Sequence, residues 1–178
     1  NSYFATVEQQ ANPRLRGKPV GVTGGDRMKR TVLGAASVEA KKFGVKTGMA
    51  IWQAKQLCPE IILVQGDSDK YFETTKRFLN ILKDYSPNME VFSIDEVFLE
   101  LPHTVIARND SDEAISLHGL DCFASLAMTI KQRIRSEIGE WMRCSIGISY
   151  NKLMAKLASG LQKPDGLVII PDQKTAME

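Results

Sequence analysis

Apolar residues recur along this chain with two periods, and the two divide it into helices and strands. Between residues 67 and 85, Tyr71, Thr75, Phe78, Leu82 and Tyr85 follow one another by fours and threes. That spacing predicts a helix with one buried stripe, capped by Asp67 or Ser68 and stopped by Ser86 and Pro87. Residues 121–138 repeat the pattern, with Phe123, Leu126, Ile130, Ile134 and Ile138 on one face. Shorter helices are predicted over 2–10, with Ser2 as cap and Tyr3, Phe4 and Val7 on one side, over 38–43 up to Gly44, over 48–58 up to Pro59, and over 151–161. Strands are predicted at 20–23, at 31–33, at 61–64 as a buried strand, at 143–148 and at 167–170. Residues 26–30 read as a charged loop and 102–120 as a long polar surface loop. Hairpin strands mixed with two long helices imply an α+β domain, a mixed or antiparallel sheet covered by helices on one face, preceded by a small lobe of short elements.

The stretch 89–101, MEVFSIDEVFLEL, organises the rest. Val91 and Phe92 before, and Val97, Phe98 and Leu99 after, predict two strands packed in a core around the polar knot Ser93, Ile94, Asp95 and Glu96. Two adjacent carboxylates are costly to bury, so Asp95 and Glu96 should sit at an open edge, be protonated, or hold a cation. Neighbours on a regular strand face opposite ways, so the pair can converge only where the chain bends at the turn. The pattern alone reads as a charged hairpin tip in water, and what favours a cation lies elsewhere in the chain.

The 178 residues are 43% hydrophobic and 25% charged, as expected of an ordinary globule of one domain or a domain with a small lobe. A net charge of +2 is too weak to argue nucleic-acid binding, which must rest on where Lys and Arg sit. Cys58, Cys122 and Cys144 lack CxxC spacing and favour reduced thiols in a cytoplasmic protein. No apolar run approaches membrane-spanning length, and the first residues do not read as a signal peptide. The chain opens at Asn1 without methionine and closes on Asp172 as the cap of a helix barely begun, which reads as a piece of a longer protein.

Four stretches together carry a family resemblance: NSYFATVEQQANPRLRGKPVGV at 1–22, GAASVEAKKFGVKTGM at 34–49, YSPNMEVFSIDEVFLEL at 85–101 and CSIGISYNKLMAKLASGLQKPDGLVII at 144–170. SIDE after an apolar strand, then GIS, NKLMAK and QKPDG in this order, resembles the Y-family lesion-bypass DNA polymerases, of the bacterial DNA polymerase IV type. The resemblance implies a fingers lobe at 1–66, whose first residues belong to the palm edge. It also implies a palm with a ferredoxin-like sheet at 67–170, and the start of a thumb at 171–178. It implies template-directed transfer of a deoxynucleotide from a deoxynucleoside triphosphate to a primer 3′-hydroxyl in damage tolerance. Primer–template DNA is then a partner, and a sliding clamp could engage residues outside this sequence.

Such a reaction asks for positioning and charge neutralisation around two Mg²⁺ ions, which take hard oxygen ligands. The resemblance assigns Asp95 and Glu96 as metal ligands and expects a further carboxylate two positions before Asn1. It makes Phe4 a steric gate beneath the incoming sugar, with Tyr3 contacting the triphosphate through its backbone N–H; by spacing alone Phe4 is a core aromatic. Lys163 in QKPDG matches a phosphate contact. Lys41 stands where the family has Arg and Val38 where it has Tyr, so the bidentate contact and the hydroxyl are both missing. Lys152 and Lys156, one helical turn apart, would face the DNA backbone, against the plain alternative of solvated surface charges. Two other readings remain: a non-catalytic DNA-binding relative, favoured by Val38 and Lys41, and another palm-fold enzyme such as a nucleotide cyclase, against which NKLMAK and QKPDG argue.

Overall fold

The computed structural model describes residues 2–24, 32–101 and 117–171, the side chains of 117–121 excepted. The charged loop at 26–30, most of the loop at 102–120 and the Asp172 cap lie outside the described residues. Asn1–Thr75 with Gly139–Met142 form one compact unit, and Lys76–Ile138 with Arg143–Glu178 form a second.

In the first unit, helix α1 (Tyr3–Ala11) precedes strand β1 (Val20–Thr23), which is buried along its whole length. Strand β2 (Leu33–Ala36) pairs antiparallel with β1, and strand β3 (Ile62–Gln65) pairs parallel with it, in the order β2-β1-β3. The expected strand at 31–33 is displaced: Gly34, Ala35 and Ala36 are strand rather than a lead into the helix. Register decides this, since Gly21 pairs with Ala36 and Val22 with Ala35, and small residues suit a strand under helix α1. The expected burial of β3 also fails, because β3 is an edge strand and only Ile61 just before it is fully covered. Helices α2 (Val38–Lys42) and α3 (Ile51–Leu57) close a core of Leu33, Ala36, Ala40, Val45, Ile51, Ala54, Cys58 and Ile61. Ser37 fixes that corner, its hydroxyl accepting from the Ala40 and Val20 N–H groups at 3.2 and 3.0 Å. Ser2 does not cap α1 as expected. Its backbone is left-handed at φ 55°, and its side chain makes no cap bond.

The segment Gly139–Met142 belongs to this unit through α1. The Trp141 N–H donates to Gln10 Oε1 at 2.8 Å and its indole N–H to Gln9 Oε1 at 3.1 Å. Arg16 pairs with Glu140 and lies 5.9 Å from the Trp141 ring centre, and Met142 is buried.

Helix α4 (Ser68–Leu82) runs from the first unit into the second. Asp67 caps it as expected, accepting from the Lys70 N–H at 3.1 Å. In the second unit, strands β4 (Met89–Ser93) and β5 (Glu96–Leu99) form a hairpin with Ile94 and Asp95 as its turn and a bulge between Val91 and Ser93. The core packing expected of this hairpin is not found: Val91 is 50% and Phe92 56% exposed, because among the described residues neither strand pairs with a third.

Helix α5 (Leu117–Arg133) continues through a π-type turn, Ile134–Ile138, and buries Phe123, Ala127, Ile130 and Ile134. Its start at Leu117 takes the last residues expected in the loop. Strand β6 (Ile146–Ser149), helix α6 (Lys152–Leu161) and strand β7 (Leu167–Ile170) make a parallel βαβ unit. A Cβ on Gly147 would fall 2.1 Å from the Ala155 carbonyl oxygen, so glycine there lets α6 lie directly on β6. The α+β class stands, with the strands among the described residues hydrogen-bonded as sheets of three, two and two. Among the described residues no helix is long and apolar enough to cross a membrane.

Candidate active site

The expected site residues divide between the units. Tyr3, Phe4 and Lys41 lie in the first, and Asp95, Glu96, Lys152, Lys156 and Lys163 in the second.

Tyr3 and Phe4 open α1, and α4 fixes them. The Tyr3 hydroxyl donates to the Tyr71 carbonyl at 2.9 Å and lies 2.9 Å from Thr75 Oγ1. The half-buried Phe4 ring stacks on Tyr71 with centres 4.4 Å apart and planes at 25°. Tyr71 is held in turn, its hydroxyl donating to Glu8 Oε1 at 2.9 Å while Lys70 pairs with Glu8 Oε2 at 2.8 Å. Glu8 is only 4% exposed, and a carboxylate so buried is tolerable because two donors answer it. Burial, and then the Glu8 carboxylate, push the Tyr71 phenol well above its ordinary pKa, so it stays a donor. Lys41 is exposed in the last turn of α2, where Val38 is half-buried.

At the hairpin, Asp95 is the second residue of the turn and Glu96 the first of β5, opposite Ser93. The Ser93 hydroxyl donates to Asp95 Oδ1 at 3.1 Å, and Lys156 from α6 pairs with Glu96 Oε2 at 3.0 Å. The two carboxylates therefore share the turn end of one hairpin, and Asp95 is exposed there. Lys156 also lies 4.2 Å above the Phe92 ring centre, and Lys152 pairs with Glu90. Lys163 is exposed in the turn between α6 and β7. Residues beyond the expected set hold these groups: Glu8 behind Phe4, Glu90 and Ser93 on the hairpin. Only the carboxylate next to an apolar stripe, as in Val7 and Glu8, hinted at the first.

Oxygen-only, partly exposed ligands suit Mg²⁺, which keeps part of its water shell. Among the described residues, however, no group of three or more His, Cys, Asp or Glu is placed to hold a metal ion. Asp95 and Glu96 fit such an ion as a partial ligand set. The cysteines are unpaired thiols, and burial pushes those of Cys58 and Cys144 above their ordinary pKa, which leaves them protonated and unreactive.

The second unit thus carries a βαβ element and a carboxylate-tipped hairpin, and the first carries the Phe4 ring stacked on Tyr71. Residues 1–160 match the impB/mucB/samB family, and the chain belongs to that family. Its motif-based resemblance to the Y-family polymerases holds over most of its length. It is 42% identical to the DNA polymerase IV of Pelotomaculum thermopropionicum over 96% of this chain and 39% of that protein. Against the DNA polymerase IV of Bacteroides fragilis it is 38% identical, over 97% of this chain and 43% of that one. Among solved structures it matches DinB from Sulfolobus solfataricus with a TM-score of 0.81 and 32% identity, covering 96% of this chain and 46% of that one. An insertion ternary complex of Dbh DNA polymerase matches with a TM-score of 0.80, also at 32% identity and with the same coverage. The chain thus spans about two-fifths of the length of the curated relatives it matches.

Proposed function

We propose that this chain is the fingers and palm of a template-directed, error-prone DNA polymerase that acts in lesion bypass. The fingers take residues 1–66, the palm 67–170, and a thumb starts at 171. The observation that carries the reading is the pair Asp95 and Glu96 at the turn end of a hairpin, in a chain of this family. Asp95 and Glu96 would hold Mg²⁺, which supplies charge neutralisation for a transferring phosphoryl group. Ser93 orients Asp95 through its hydroxyl. Lys156 pairs with Glu96 in the absence of other cations and can turn to a DNA phosphate, with Lys152, once a cation takes its place. Phe4, held by Tyr71, closes the space under a sugar to a 2′-hydroxyl. The Tyr3 backbone N–H, Lys41 and Lys163 meet the triphosphate, Lys41 as a point charge without the fork of an arginine. Partners are primer–template DNA, deoxynucleoside triphosphates and, through residues outside this sequence, a sliding clamp. The unpaired cysteines support a cytoplasmic setting.

The test is primer extension by the full-length protein. Asp95→Asn and Glu96→Gln should each abolish extension while DNA affinity stays nearly intact, and Phe4→Ala should raise ribonucleotide incorporation well above the parent. Robust synthesis by Asp95→Asn would refute the ligand role. The 178-residue chain alone, with a partial ligand set, should show no measurable extension. Val38 and Lys41 favour a second reading, a DNA-binding relative without catalysis; a full-length protein that binds primed DNA and never extends it would select that one.

A further inference from the structure

Lys131 is a lysine on the apolar side of α5, and only 5% of it is exposed. Its ammonium donates to the backbone carbonyls of Asp165 and, at 3.2 Å, Gly166, and lies 3.0 Å from Asp165 Oδ1. Arg135, four residues further on, pairs with the other oxygen of the same carboxylate. The Gly166 N–H in addition donates to Ser145 Oγ at 3.2 Å.

The turn gripped in this way is one the chain would not hold unaided. Asp165 has φ 60°, a left-handed conformation that costs a residue with a Cβ about 1 kcal/mol or more. A Cβ on Gly166 would fall 1.9 Å from the Gln162 carbonyl oxygen, so the chain doubles back there with no room for a side chain. Taking an ammonium out of water costs several kcal/mol unless its acceptors are fixed in place. Turn and lysine therefore hold each other. The same turn carries Lys163, which is exposed.

We infer that Lys131 is a positioning residue for the polyphosphate of the incoming nucleotide: it fixes the turn at 162–166 and through it the placement of Lys163. The inference rests on the reading of Lys163 as a triphosphate contact. Lys131 itself is buried, with its N–H groups directed into the turn, so it acts on the ligand only through the turn. Affinity for the triphosphate then depends on a side chain that never touches it.

The experiment uses the full-length protein on a dideoxy-terminated primer–template with Mg²⁺ and reads the Kd of the correct deoxynucleoside triphosphate, so that no turnover is needed. Lys163→Ala and Lys131→Met should each weaken that Kd about tenfold and leave the DNA Kd unchanged. The double variant should lose little more than either single one, because both remove the same contact. Multiplying losses would overturn the inference, as would an unchanged Kd in Lys131→Met beside a weakened Lys163→Ala. An unchanged Kd in Lys163→Ala would instead overturn the reading of Lys163, and the inference with it. Should Lys131→Met fail to fold, Asp165→Asn keeps the left-handed backbone, removes the anion and is held to the same outcomes.

Discussion

Behind Phe4 the polar groups are buried and answer one another inside the protein, whereas on the Asp95 and Glu96 hairpin they are open to solvent, Asp95 held by Ser93 and Glu96 and Glu90 by lysines. Glu8, Tyr71, Tyr3 and Thr75 form a continuous hydrogen-bonded set under the Phe4 ring, with a nearly inaccessible carboxylate at its centre. Glu96 with Lys156 and Glu90 with Lys152 are pairs on the surface, with between a third and two-thirds of each side chain exposed. The first arrangement fixes a shape, since any partner removed leaves a desolvated group behind. The second fixes little and yields easily to a competing ion, because exposed pairs contribute at most about 1 kcal/mol. On the proposed function, a ring that excludes a hydroxyl by its position would need the first kind of support, and carboxylates that accept a cation the second.

Removing the buried anion should break this contrast most visibly. Glu8→Ala strips the Tyr71 hydroxyl and Lys70 of their acceptor and should destabilise the fold by about 3 kcal/mol in urea denaturation. A loss below about 1 kcal/mol would mean that the set is no tighter than a surface pair. Tyr71→Phe keeps the stack on Phe4 and deletes only the hydroxyl, with an expected cost of about 1–2 kcal/mol at neutral pH. The same variant sharpens the comparison at high pH. The folded protein keeps the Tyr71 proton that an unfolded chain releases near pH 10. The Tyr71 contribution is thus complete below that value and lost as the pH climbs above it, so Tyr71→Phe should flatten the alkaline fall of the melting temperature. Smallest of all is the surface pair. A double-mutant cycle on Lys156→Ala and Glu96→Gln should give a coupling of about 0.5 kcal/mol that fades as salt is raised. A salt-insensitive coupling of several times that size would place the pair with the buried set.

What the sequence disclosed was whatever is encoded locally. The α4 stripe and its Asp67 cap, the Ile94 and Asp95 turn between β-rich runs, and the α6 helix expected over 151–161 each depend on residues a few positions apart. The carboxylate pair was legible for the same reason. Features set by distant partners were not. The strand at Gly34, Ala35 and Ala36 has no strand propensity of its own and exists because β1 lies beside it. Lys131 reads as a surface cation in any helical pattern, and only Asp165, far along the chain, makes it an interior one. The hairpin misled in the opposite sense: its apolar runs promised burial that the described residues do not provide.

The passage of Gly139–Met142 into the first unit bears on how such a protein could be recombined. A chimera that exchanged residues 1–75 with those of a relative would receive Gln9 and Gln10 without the Trp141 that answers both, and Arg16 without Glu140. The heritable module is therefore discontinuous: four residues encoded far downstream must travel with the first seventy-five, or be matched to them, for a crossover to leave α1 intact.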